Sequence, residues 1–180
     1  MSHRTTASDS SKMPTGIPYI IGNEAAERFS FYGMKTILFI FIANYLHLMG
    51  DKPTDAISEG TAAEWVYLFN MAVYLTPVLG AIIADLYWGK YKTIMRLSVV
   101  YCLGHLSLAF MGVTGPSFYF LLAGLILISL GGGGIKPCVS AHVGDQFGPN
   151  NQHLLSKIFN WFYFSINLKY ITTCFFTVVL

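Results

Sequence analysis

Long apolar runs separated by short polar stretches dominate this chain. A helix needs roughly 20 mostly apolar residues to cross a bilayer. By that measure the chain offers five candidate spans: about Ile17 to Met49, Ala62 to Ala84, Thr93 to Val113, Ser117 to Val143, and Ile158 to the chain end. The pattern predicts an all-α protein of polytopic transmembrane helices. The first run exceeds the hydrocarbon thickness at the helical rise per residue, so it should tilt or project beyond the membrane. Residues 1–16 are polar and read as a cytoplasmic tail, with residues 17–180 as the transmembrane part. The tail has no apolar core and small-residue cleavage site of a secretory signal.

The polar breaks orient the spans. Gly50 to Thr61 carries Asp51, Asp55 and Glu59 against a single Lys52 and has the character of an outside loop. Lys90, Lys92 and Arg96 fall at the junction of spans two and three, Lys157 precedes span five, and Arg4 and Lys12 precede span one. The positive-inside bias therefore puts the N-terminus in the cytoplasm. Thr114-Gly115-Pro116 supplies an abrupt reversal that makes spans three and four antiparallel neighbours.

Composition narrows the classes that remain. The chain is 54% apolar and only 11% charged, which fits lipid as its solvent. A net charge of +2 with dispersed carriers excludes a nucleic-acid surface, which needs clustered Lys and Arg. Cys102, Cys138 and Cys174 lie in apolar segments without metal-type spacing and read as small hydrophobes. No HExxH or GxxxxGK[ST] pattern and no nucleophile–base pairing points to an enzyme, a metal or a cofactor.

The first span contradicts its own apolar character. Glu24, Glu27, Arg28 and Lys35 lie within it, and a charge facing lipid at mid-membrane costs about 2.5–3.5 kcal/mol on insertion scales. Helical periodicity resolves the conflict, because Glu24, Glu27, Arg28, Phe31 and Lys35 share one face that must point into protein or a water-filled cavity. Tyr32 lies beside that face. One reading is a salt bridge that only neutralises charge. The other is a proton-coupling site: an anionic substrate engaging Arg28 would withdraw its stabilisation from Glu27 and favour protonation there. Lys136 follows four glycines and precedes Pro137, inside the fourth span. It should face the cavity and find a carboxylate, with Glu24 the natural partner, unless the bridge is purely structural.

The string Glu24-Ala-Ala-Glu27-Arg28-Phe29-Ser30-Phe31-Tyr32-Gly33 resembles the ExxERFxYYG signature of the proton-dependent oligopeptide transporter family, within the major facilitator superfamily. Tyr74-Leu-Thr-Pro77-Val-Leu-Gly80-Ala-Ile-Ile-Ala-Asp85-Leu-Tyr-Trp-Gly89-Lys90-Tyr-Lys92 looks like that family's second span and following loop. Gly131-Gly-Gly-Gly-Ile-Lys136-Pro137 and its continuation to Phe147 look like its fourth-span signature, and Phe162-Tyr-Phe-Ser-Ile-Asn167 agrees in turn. The resemblance implies twelve or more helices in two halves with alternating access to a central cavity. It also implies symport of protons with di- and tripeptides across the cell membrane.

Carried over by motif position, Glu24, Glu27 and Arg28 would couple protons, and Arg28, Tyr32, Lys35 and Lys136 would hold the peptide carboxylate. Tyr74 and Asn167 would meet the peptide backbone; a lone Tyr or Asn in a span is as often a helix-packing hydrogen bond. Asp85, Gly89 and Lys90 would belong to a gating loop. The chain departs from the family pattern at Phe31, where tyrosine is usual, and at Lys35, where arginine is usual. Lys169-Tyr170 stand where small residues are usual.

Five spans cannot build two halves, so the chain should be an N-terminal fragment, inactive without its C-terminal half. Two other functions fit the same residues. Arg28, Lys35 and Lys136 would suit nitrate or another small anion, and a chain without its second half would suit a non-transporting membrane fragment.

Overall fold

The computed structural model describes residues 10–49, 55–113 and 117–179. The polar residues His3, Arg4 and Asp9, the loop residues Asp51 and Lys52, and the Thr114-Gly115-Pro116 turn lie outside the described residues. Five long helices follow in order: α1 Ile17–Asn44, α2 Glu59–Ile83, α3 Lys90–Ala109, α4 Ser117–Asp145 and α5 Leu155–Val179. Among the described residues there is no strand. The 28 residues of α1 extend about 42 Å, beyond a hydrocarbon core of ~30 Å.

The ends differ from the apolar runs for local reasons. α1 stops at Asn44 and gives way to a 3-10 turn at Leu46–Leu48, short of the expected Met49. α2 starts at Glu59 rather than Ala62, because the Ser58 hydroxyl accepts the Thr61 amide hydrogen at 3.2 Å and so caps the helix. α3 starts at Lys90 rather than Thr93, so Lys90 and Lys92 occupy its first turn instead of a loop. Between them, α2 widens into a π-type turn over Ala84–Trp88 and ends at Gly89, with φ +74° and ψ 154°. That conformation is essentially restricted to glycine. The Gly89 amide closes the turn on the Ala84 carbonyl at 2.9 Å, and the Gly89 carbonyl accepts from the Thr93 hydroxyl at 3.0 Å. Arg96, two turns into α3, lies over the Trp88 ring at 4.5 Å.

The described residues divide into two compact units. One comprises residues up to Met34 together with Val139 onward, and the other Lys35–Cys138. In the first unit Ile17 and Ile158 are fully buried. Asn151, also fully buried, accepts the Gly148 amide at 2.8 Å and donates to the Lys12 carbonyl at 3.4 Å. The end of the polar tail is therefore held against the α4–α5 connection.

In the second unit α4 meets both α2 and α3 along glycines. A Cβ at Gly80 of α2 would stand 2.5 Å from Gly134 Cα, and one at Gly104 of α3 would stand 2.8 Å from the Ile128 amide nitrogen. Backbone contact this close leaves no room for a side chain and suits helices packed in lipid, where dispersion replaces the hydrophobic drive. Pro77 lacks an amide hydrogen and so leaves the Val73 carbonyl without its helical donor. The Thr76 hydroxyl lies 3.4 Å from that carbonyl and donates at 2.8 Å to the Ser129 carbonyl of α4.

A substitution pair tests this packing. Gly80→Val should destabilise the protein by roughly 1–3 kcal/mol, the usual cost of overpacking, and lower its melting temperature in detergent. Gly22→Ala, whose added Cβ would meet nothing within 4 Å, should leave it unchanged or higher. Equal melting temperatures for the two variants would show that α2 and α4 part without cost.

Candidate functional site

Three of the expected residues form a buried ionic group on α1. Glu24, Glu27 and Arg28 are 2%, 8% and 8% exposed, and Phe31, one turn on, is also buried. A single oxygen of Glu24, Oε1, serves both Arg28 Nη2 at 2.6 Å and Arg28 Nε at 2.7 Å. Glu27 Oε2 reaches the same Nε at 3.3 Å. The helix dictates this arrangement, since positions three and four residues apart share a face and bring the acids and the base into register.

The geometry ranks the two carboxylates. Glu24 is held short and at two donors, as expected of a strong charge-assisted interaction. Glu27 stands off at the longer distance. Two acids share one guanidinium, so with both ionised the group holds a surplus negative charge. Burial makes that surplus expensive.

The other expected residues are distributed as follows. Tyr32 is half-buried, its ring edge-on to Phe31 at 5.3 Å. Lys35 is half-buried on α1 and Lys136 half-buried on α4, both in the second unit. Tyr74 is 76% exposed on α2. Asn167 is exposed on α5, with its amide nitrogen donating to the Tyr163 carbonyl at 2.9 Å, which leaves its oxygen as acceptor. Asp85 and Gly89 are exposed in the turn after α2. Lys90 begins α3.

One residue was not singled out as a site from the sequence. Lys169 of α5 places its ammonium 5.8 Å from the centre of the Tyr32 ring and 5.0 Å from that of Tyr170. Its signal was a cation inside an apolar run; what it meets was not legible there. Among the described residues, no three His, Cys, Asp or Glu gather as metal ligands.

Similarities to known proteins accord with this construction. The model of the POT family matches residues 91–180. Peptide transporter family 1 of Drosophila melanogaster is 44% identical over 171 residues, covering 93% of this chain and 22% of its own length. Solute carrier family 15 member 2 of Homo sapiens is 41% identical over 175 residues, covering 94% of this chain and 23% of its own. The in meso crystal structure of the POT family transporter PepTSo superposes with a TM-score of 0.75 at 39% identity, over 93% of this chain and 37% of that one. An auto-inhibited POT family peptide transporter gives 0.76 at 38% identity, over 89% and 30%.

Fold and relatives together define a multi-pass helical membrane protein with major-facilitator-type helices. The chain belongs to the POT family, and it spans between a fifth and a quarter of the length of these curated relatives.

Removing the shared base tests the ionic group. Arg28→Met should destabilise the protein by about 3–5 kcal/mol, because it strands buried carboxylates. Glu27→Gln should cost clearly less, since Arg28 keeps its shorter contacts to Glu24. Thermal melts in detergent separate the two. Equal losses would mean that both acids hold the base alike.

Proposed function

We propose that this chain is the N-terminal part of a symporter that couples inward proton movement to uptake of di- and tripeptides, with its N-terminus in the cytoplasm of a cell whose plasma membrane it spans. The observation that carries the reading is the buried Glu24–Arg28–Glu27 group. A structural bridge needs one acid and one base. A second carboxylate at a longer distance supplies a group that can exchange its cation for a proton.

In this reading Arg28, with Tyr32, Lys35 and Lys136, receives the peptide carboxylate. As the substrate draws on the guanidinium, Glu27 loses its more distant contact first and takes up a proton, while Glu24 keeps Arg28 oriented. Substrate and proton then bind cooperatively, each making the other's site more favourable. Tyr74 and the Asn167 oxygen, both exposed, meet the peptide backbone. Asp85, Gly89 and Lys90 act as the gating segment, here a tight junction between α2 and α3 whose shape depends on the glycine-only backbone at Gly89 rather than an open loop. The remaining walls of the site come from a C-terminal half. The names of the relatives, peptide transporters among them, support peptide over nitrate as cargo. A membrane potential provides ~2.3 kcal/mol per charge per 100 mV, about fifty-fold accumulation for each proton, which is an adequate driving force.

The test uses the longest reading frame that contains this chain, reconstituted in proteoliposomes. Labelled dipeptide should accumulate only under an inward proton gradient, and Glu27→Gln should abolish gradient-driven accumulation while leaving counterflow exchange of bound peptide. Uptake indifferent to the gradient, or accumulation intact in Glu27→Gln, would remove the coupling role. Uptake of nitrate without peptide would transfer the site to small anions.

A further inference from the structure

Lys169 sits in the middle of an apolar helix, half-buried, where an ammonium needs a counter-charge. Among the described residues no carboxylate lies within ion-pair distance of it; its neighbours are the faces of Tyr32 and Tyr170. Aromatic faces attract a cation but satisfy none of the three ammonium donors as a carboxylate would. Tyr32 lies four residues, one helical turn, beyond Arg28. The contact therefore brings Lys169 beside the same stretch of α1 that carries the ionic group. Arg28 is already engaged by two carboxylates. An arriving anion at the guanidinium competes with those carboxylates, but at Lys169 it meets an ammonium with no carboxylate within ion-pair distance among the described residues.

We infer that Lys169 is a specificity-determining residue: it binds a second, side-chain carboxylate on the substrate and so gives the site a preference for acidic peptides over basic ones. The inference rests on the peptide-transport reading above. A lysine suits this role, because its ammonium is a compact point charge on a flexible stem and accepts carboxylates of different reach, whereas a guanidinium fork demands one geometry. A basic peptide side chain at the same place meets like charge and is disfavoured.

The experiment compares uptake of Ala-Asp, Ala-Ala and Ala-Lys by the reconstituted longest reading frame. The unsubstituted protein should take up Ala-Asp with the lowest KM and Ala-Lys with the highest. Lys169→Met should raise the KM for Ala-Asp about tenfold or more, the size of one lost charge-assisted hydrogen bond, and leave Ala-Ala within twofold. Lys169→Arg should retain the preference. Should Lys169→Met fail to insert, Lys169→Gln makes the same comparison with a polar side chain. An Ala-Asp to Ala-Ala ratio unchanged by loss of the charge, an equal loss for all three peptides, or an unsubstituted protein that prefers Ala-Lys would each overturn this inference alone. Absence of uptake for all three peptides by the unsubstituted protein would overturn the peptide reading with it.

Discussion

The constraint on which the rest of this protein depends is the cost of placing two carboxylates and a guanidinium in a helix that otherwise suits lipid. Neither acid nor base is tolerable there by itself. Spacings of three and four residues bring them together on α1, so each neutralises part of the other's burial cost. Within the group one base contacts both acids, Glu24 the more closely. A fold that buries such a group must surround α1 with protein on that face, which already implies a multi-helix membrane body. The surplus carboxylate makes the group a candidate for proton exchange rather than a simple brace.

The helices of the second unit are held by a different means. Glycines at Gly80, Gly104 and Gly131 let backbones approach until a methyl group would not fit. The Thr76 hydroxyl, beside the donor that Pro77 removes, joins α2 to the Ser129 carbonyl of α4. Where lipid supplies no hydrophobic drive between helices, close dispersion contacts and such hydrogen bonds provide the cohesion. They also fix geometry, because a backbone contact permits much less sliding than one between flexible side chains. Among the described residues, α2 with its π-type turn and α4 are the two helices long and apolar enough to cross a membrane by length and composition alone. α1 departs from that pattern through its charges, in keeping with a division between scaffold helices and a helix that bears the chemistry.

Lys169 extends the electrostatic account to α5. Its ammonium rests on Tyr32, a residue of the helix that carries the ionic group. Cations on two helices thus border the same stretch of α1, Arg28 in the ionic group and Lys169 over Tyr32. In the proposed reading, the charge at Lys169 sets which ligands the same α1 face receives, without touching the acid–base group itself. In the proposed reading, proton coupling and cargo preference fall to separate side chains.

Helix number and type, and the charged face of α1, were legible in the sequence, because both follow from periodicity and from the cost of charge in lipid. Helix ends were less so. The start of α2 depends on the Ser58 cap, and the junction with α3 depends on a π-type turn closed by Gly89, both decided by individual hydrogen bonds rather than by hydropathy. The sequence by itself determined that Glu24, Glu27 and Arg28 must share an interior face, since a helix leaves them no other arrangement. Only the tertiary structure decided which carboxylate holds Arg28 more closely, that Thr76 meets Ser129, and that Lys169 lies over Tyr32. Each of these depends on a side-chain rotamer or on contact between residues far apart in the chain, and neither is encoded in local spacing.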